Sequence, residues 1–149
     1  MPKFNAEDKR DHHSTAAVIR NKDGKYLIMR HVKHNMLTFC IGKCKPEETP
    51  SQGLRTEALE ELGIHISHAK EVTHYEKTYD FTGQSVKVDT HLFEVQVYDG
   101  SIYNKEPHKC GGLLWMTREE LEAAYARGER VADCVMEYFK YLNQKGESK

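Results

Sequence analysis

The stretch Gly42 to Ile64, GKCKPEETPSQGLRTEALEELGI, decides how the rest of the chain is read. Its second half has the marks of a helix. Thr49 or Ser51 can cap the start, and Pro50 suits a first helical turn. Leu54, Ala58, Leu59 and Leu62 recur at helical spacing, and Gly63 supplies the stop. On that helix Glu57 stands three residues before Glu60 and four before Glu61. Side chains so spaced are neighbours, and like charges so close repel. A divalent cation shared among them would remove the repulsion, and Mg²⁺ and Mn²⁺ favour such hard carboxylate oxygens. Glu48 precedes the helix, where the loop can fold it toward the same face. The spacing alone also fits a solvated acidic helix face.

Working outward, Ser14 to Arg20 is small and β-branched and reads as a strand, and Asn21-Lys22-Asp23-Gly24 as a tight turn. Tyr26 to Arg30 is then the second strand of a hairpin. Thr38 to Ile41 gives a further short strand, and Gly42 to Pro50 a polar loop. Ile64 to Val72 returns toward strand character. Val72 to Tyr79 and Val86 to Val97 are extended, joined by a turn from Phe81 to Ser85. The apolar–polar alternation in the second of these is clear after Leu92. Leu113 to Met116 is a short strand. Thr117 opens a capping box, with Glu120 at the third helical position, for a helix from Arg118 to about Arg127. A last amphipathic helix is expected over Val131 to Leu142, with Val131, Val135, Met136, Phe139 and Leu142 on its apolar side. The order of elements predicts an α+β or layered α/β/α arrangement, a mixed sheet flanked by helices, in one domain over 1–149. The ends, 1–11 and 144–149, are expected to be flexible.

Composition narrows the function classes. Net charge is −1, with 38% hydrophobic and 30% charged residues, which offers no basic stripe for a long nucleic acid. No apolar run has membrane-spanning length, and the first nine residues lack the apolar core of a secretory signal. Cys40, Cys44, Cys110 and Cys134 do not demand a disulfide framework. A zinc site using Cys40, Cys44, Cys110 and a histidine is conceivable, but buried thiols are the better reading, consistent with a reduced cytoplasm. Nine histidines, among them His12, His13, His31 and His34, lack HExxH or zinc-ligand spacing and read as surface or core residues.

The stretch resembles the signature of the Nudix hydrolase family. That signature runs Gly, five residues, Glu, seven residues, Arg-Glu, a bulky apolar residue, any residue, Glu-Glu, any residue, Gly and an apolar residue. Gly42, Glu48, Glu57, Glu60, Glu61, Gly63 and Ile64 fall on it in order. The resemblance implies a Nudix-type α/β/α sandwich and metal-dependent hydrolysis of a phosphoanhydride bond. The implied substrate is a nucleoside diphosphate-linked small molecule: a nucleoside triphosphate, nucleotide sugar or dinucleotide. It further implies that Glu57, Glu60 and Glu61 hold Mg²⁺ or Mn²⁺ and carry catalysis, with the Gly42 carbonyl as a further ligand. A further carboxylate often comes from a loop across the site, and Glu106 in Tyr103-Asn104-Lys105-Glu106-Pro107 is the candidate, ahead of Glu76 and Asp89. Arg30, Lys33 or Lys43 are candidates for substrate phosphates, and Tyr75, Tyr79 or Phe81 for stacking on a base. A homodimer is common among proteins that look like this.

Two positions depart from the signature. Thr56 stands where the family has an arginine thought to orient the glutamates, and Ala58 stands at the bulky apolar position. Arg55 is adjacent, but one helical step rotates a side chain by about 100°. A catalytically weak nucleotide-binding or regulatory protein on the same fold is the alternative that Thr56 raises.

Overall fold

In the computed structural model, which describes residues 11–81 and 83–146 (Phe81 by its backbone only), eight strands and three helices follow one another along the described chain. They are β1 (His12–Val18), β2 (Tyr26–His31), β3 (Met36–Thr38), β4 (Cys40–Lys43), α1 (Pro50–Leu62), β5 (His65–Phe81), β6 (Gln84–Asp99), β7 (Cys110–Met116), α2 (Arg118–Ala126), β8 (Arg130–Val131) and α3 (Asp133–Gln144). Two four-stranded sheets result, ordered β4-β1-β6-β5 and β7-β2-β3-β8. Both are mixed: β1 runs parallel to β6, and β3 parallel to β8, while the remaining pairs are antiparallel. The expected α+β class, with mixed sheet flanked by helices, is what the chain forms.

The tight turn after β1 is present. The Lys25 carbonyl accepts from the Asn21 N–H, and the Asn21 side chain accepts from Asp23 and Lys25 N–H. The expected hairpin is not. β1 and β2 touch through the Arg20–Tyr26 bridge and the Leu27 N–H bond to the Ile19 carbonyl, then diverge into different sheets. Burial explains the divergence. Ala16 and Val18 pack in one apolar cluster, Ala17 and Ile19 in the other, so this segment is buried on both faces. Tyr26 and Ile28 against Leu27 and Met29 behave alike. Strands of this kind belong in the middle of sheets rather than in an exposed ribbon.

Other boundaries move for equally local reasons. The chain crosses between the sheets at buried Phe39, so the expected strand at Thr38 to Ile41 is split into β3 and β4. β4 runs on to Lys43, which shortens the predicted polar loop. Buried positions in β6 alternate before Leu92, at Val86, Val88 and Thr90, rather than after it. Val131 belongs to β8, not to the last helix. Of the expected flexible ends, 1–10 and 147–149 lie outside the described residues; Asp11 accepts from the Lys87 N–H at 2.9 Å, and Gln144 closes α3.

The core has two parts. One gathers α2 and α3 against the sheets around Tyr26, Phe39, Tyr138 and Phe139, whose rings meet edge-on or tilted at 5.6–6.1 Å. The other seats Leu54, Ala58 and Leu62 of α1 on Ala17, Cys40 and Phe93. α1 starts at Thr49, whose hydroxyl accepts from the Gln52 N–H while the Gln52 side chain accepts from the Thr49 N–H. It ends at Gly63, in the left-handed region at φ 71°. Both ends of the glutamate-bearing helix are therefore fixed before any packing is counted.

Candidate active site

Glu57 projects from α1 over Gly42 of β4. A methyl group at residue 42 would overlap the Glu57 Cγ and Cδ, so the absence of a side chain there makes room for the carboxylate. One turn on, Glu61 hydrogen-bonds Glu57. Burial drives both pKa values up, and for Glu61 the Glu57 bond and charge raise it further. The buried Cys40 thiol donates to Glu61 at 3.7 Å. Glu60 lies on the outer, exposed side of the helix. Two partly buried carboxylates in hydrogen-bond contact form a hard oxygen donor set, and that set fits a divalent cation.

The loop from 100 to 109 closes this end of the site. The carbonyls of Leu62 and Glu61, left over at the helix C-terminus, accept from the Tyr103 and Lys105 N–H groups at 3.2 and 3.1 Å. Asn104 Oδ1 then accepts from the Glu106 N–H, and Asn104 Nδ2 donates to the Cys110 carbonyl. So held, the Glu106 carboxylate is near enough to raise the pKa values of both Glu57 and Glu61, and Lys109 opposes it. Lys109 Nζ is 3.7 Å from Glu106.

A cleft opens beside these groups. Its inner part is lined by Met29, His31, Thr38, Ile41, Glu61 and Lys109. Its wider part, about 340 Å³, shares His31 and Ile41 and extends over Lys43, Tyr75 and Tyr79. That volume is at the small end of the ~300–1,000 Å³ typical of small-molecule sites. The Tyr79 hydroxyl donates to Asp133 at 3.1 Å, which fixes that ring in the wall.

The structure sorts the remaining sequence candidates. Arg30 is not in the cleft. Met29 and His31, its neighbours in β2, face it with their β3 partners Thr38 and Met36, so alternation turns Arg30 to the other side. Asp89 likewise lies on the face of the first sheet opposite the cleft-lining Val88 and Thr90. Glu76 and Lys33 are exposed and do not line the cleft. The Phe81 side chain lies outside the described residues. Arg55 does not take the place of the missing arginine: it donates to the Ile66 and Ser67 carbonyls and to Ser51, tying α1 to β5. Thr56 instead donates to Glu48 at 2.8 Å, and Glu48 also accepts from the Lys45 N–H at 2.9 Å. The four cysteines are free and buried, as the thiol reading expected. Sequence reading missed His31 and Lys109. His31 stacks on His34, its Nδ1 is buried without a hydrogen-bond partner, and burial lowers its pKa. The only available signal was the place of these two residues at strand ends beside the site.

The NUDIX domain family model matches residues 10–139. The chain belongs to the NUDIX family. A CTP pyrophosphohydrolase of Escherichia coli (strain K12) is 27% identical over 108 residues, covering 70% of this chain and 75% of that protein. Among solved structures, the E. coli ORF135 protein matches with a TM-score of 0.69 at 22% identity, over 98% of this chain and 100% of that one. A MutT NUDIX hydrolase from Burkholderia pseudomallei matches with a TM-score of 0.72 at 17% identity, over 89% and 98%. The protein is thus a Nudix hydrolase, of a family that acts on nucleotide-like substrates and generally uses divalent metal ions. Among the described residues, no helix is long and apolar enough to cross a membrane.

Proposed function

We propose that this Nudix hydrolase cleaves a phosphoanhydride bond in a nucleoside diphosphate-linked small molecule, with nucleoside triphosphates ahead of nucleotide sugars and dinucleotides. The observation that carries the reading is the Glu57–Glu61 carboxylate pair over Gly42 at the inner end of a small-molecule cleft. The name of the E. coli relative puts CTP first among the triphosphates to test.

Glu57, Glu61 and the Gly42 carbonyl would hold Mg²⁺ or Mn²⁺, with Glu60 completing the set from the helix surface. A divalent cation there supplies charge neutralisation of the phosphates and acidifies water. Lys43 and Lys109 meet phosphate oxygens from opposite walls, and Tyr75 and Tyr79 flank the base. Water attacks one phosphorus, the bridging P–O bond breaks, and its electron pair leaves with the departing phosphate. The water proton passes to a carboxylate, for which Glu61 and Glu106 are the groups in reach. Burial holds metal-free Glu61 toward its protonated form, and a bound divalent cation would favour the carboxylate, the form able to take up the water proton.

The test is phosphate and pyrophosphate release from a panel of nucleoside triphosphates, nucleotide sugars and dinucleoside polyphosphates with Mg²⁺ or Mn²⁺, comparing the parent with Glu57→Gln and Glu61→Gln. Metal-dependent turnover of one class, lost in both variants, is expected. A folded parent that binds nucleotides but turns over none of them would sink the reading. It would favour a nucleotide-binding role, with the uncharged Thr56, bonded to Glu48 in place of an arginine, as its cause.

A further inference from the structure

The face of the first sheet that carries α1 holds a second polar constellation beyond the helix. Strand pairing assembles it from distant parts of the chain. β1 and β6 set His13 beside Asp89, and β5 and β6 set His74 beside His91. Their neighbours Ser14, Val88 and Thr90 point the opposite way, into the cleft, so this group lies outside the site described above. Gly42, under Glu57, is two strands from His91 through Thr15, roughly 10 Å at ordinary strand spacing.

Each carboxylate already holds one histidine. Glu71 is 2.7 Å from His91 Nδ1, and Asp89 Oδ1 is 3.0 Å from His74 Nδ1. A proton on His91 Nδ1, facing Glu71, leaves the lone pair of Nε2 free to accept. That nitrogen, His13 Nδ1 and Asp89 Oδ2 then converge. His13 Nδ1 to His91 Nε2 is 2.9 Å, His91 Nε2 to Asp89 Oδ2 is 3.6 Å, and His13 Nδ1 to Asp89 Oδ2 is 3.7 Å. A tetrahedral ion with ligand bonds of about 2.0–2.1 Å separates its donors by roughly 3.3 Å. The three edges bracket that value. His13 is well exposed, so water can solvate a proton moved to its Nε2, and an ion can reach the site.

The geometry points to a surface site for a late first-row divalent cation of the Zn²⁺ class, held by His13, Asp89 and His91 with water in the fourth position. Two imidazoles and one carboxylate select such an ion over Mg²⁺. Glu71 behind His91 is the carboxylate–histidine–metal arrangement that orients a ligand ring and raises its basicity. Without an ion, the same groups form a hydrogen-bonded chain from Glu71 through His91 to His13.

The test uses the full chain stripped of metal and held in millimolar Mg²⁺, so that the glutamate site is occupied. Co²⁺ is added as a spectroscopic probe and Zn²⁺ as its competitor. One equivalent of Co²⁺ is expected to develop the intense visible bands of tetrahedral coordination, and Zn²⁺ to displace it. His13→Ala and His91→Gln should each abolish the bands, and Glu71→Gln should weaken Zn²⁺ binding about 10–100-fold. Thermal melts confirm folding, and His13→Ala should keep Mg²⁺-dependent turnover. Bands that survive His13→Ala and vanish in Glu61→Gln would overturn the proposal by placing the ion on the glutamates. No Co²⁺ or Zn²⁺ binding by the folded parent would leave only the hydrogen-bonded chain, and would overturn it equally.

Discussion

Glu48 and the pair Glu57–Glu61 belong to one sequence motif and end in opposite states. Glu48, in the loop before α1, accepts from the Lys45 N–H and from Thr56, and the Lys45 bond above all holds its carboxyl below the usual carboxylate range. Its charge is satisfied by protein donors. Among the described residues, Glu57 and Glu61 have only each other, a weak thiol donor and opposed long-range charges, and burial drives them toward protonation. The difference separates the roles within the motif. A carboxylate satisfied by N–H and O–H donors clasps the loop to the helix. A partly buried pair whose main partner is each other is available to a cation.

The sharpest attack on that contrast is Glu61→Gln, which keeps the shape and removes the ionisable group. Removing a general base or a metal ligand typically costs 10²–10⁴-fold, and kcat should fall by about that much with folding intact. Steady-state kinetics at saturating Mg²⁺ measure it. A loss below about tenfold would mean that Glu61 is not in the chemistry. Gly42→Ala probes the same pair from beneath. The added methyl group meets the Glu57 Cγ and Cδ rather than a flexible tip, so the side chain must swing away. Displacing a catalytic group by about 1 Å can cost on the order of 10²-fold. A drop of roughly 10–100-fold in kcat, with a melting temperature near the parent's, is the expected result. An unchanged kcat would show that Glu57 needs no fixed place.

Stability should carry the same contrast as a function of pH. The folded-state pKa values of Glu57 and Glu61 are raised, so between the unfolded and folded values the folded chain binds more protons than the unfolded one. Stability therefore falls as pH rises. Their contribution is fully present below about pH 4.5, an ordinary carboxylate value, and is lost as pH climbs through the raised one. Glu61→Gln escapes that loss. In metal-free protein its melting temperature should match the parent's near pH 4.5 and exceed it by about 2–6 °C at pH 8. Mg²⁺ should narrow the gap, because it stabilises the ionised parent. A gap independent of pH would show that the pair is not protonated in the folded state.

How much of this was legible in the sequence follows from where each signal resides. α1 and its caps were readable because Thr49, Pro50 and Gly63 act locally, and helical spacing fixes which glutamates are neighbours. The placement of Glu106 was readable as a polar loop before a strand, though not the hydrogen bonds from Tyr103 and Lys105 that tie the loop to α1. The divergence of β1 and β2 was not readable, since a good turn is compatible with both a ribbon and two separate sheets, and burial on both faces decides between them. Arg30 failed for a related reason. Its position at a strand end is visible in sequence, but its face depends on the register with β3. The histidine cluster was hidden most completely. His13 and His91 are 78 residues apart, and only the parallel pairing of β1 with β6 brings them together.

The smallest predicted effect lies at the satisfied end of the motif and completes the contrast. Thr56→Val keeps the volume and branching of the side chain and removes the hydroxyl that donates to Glu48. Glu48 keeps the Lys45 N–H and is partly exposed, so water can replace the lost donor. A single hydrogen bond is worth about 0.5–1.5 kcal/mol net, and solvent access puts this one at the low end. Chemical denaturation should therefore show a loss of about 0.5 kcal/mol, and kcat should stay within about threefold, because Thr56 donates to Glu48 and not to the Glu57–Glu61 pair. A fall in kcat approaching that of Glu61→Gln, at unchanged stability, would erase the distinction. It would mean that the Glu48–Thr56 contact positions the catalytic glutamates, and that threonine here does the work of the arginine it replaces.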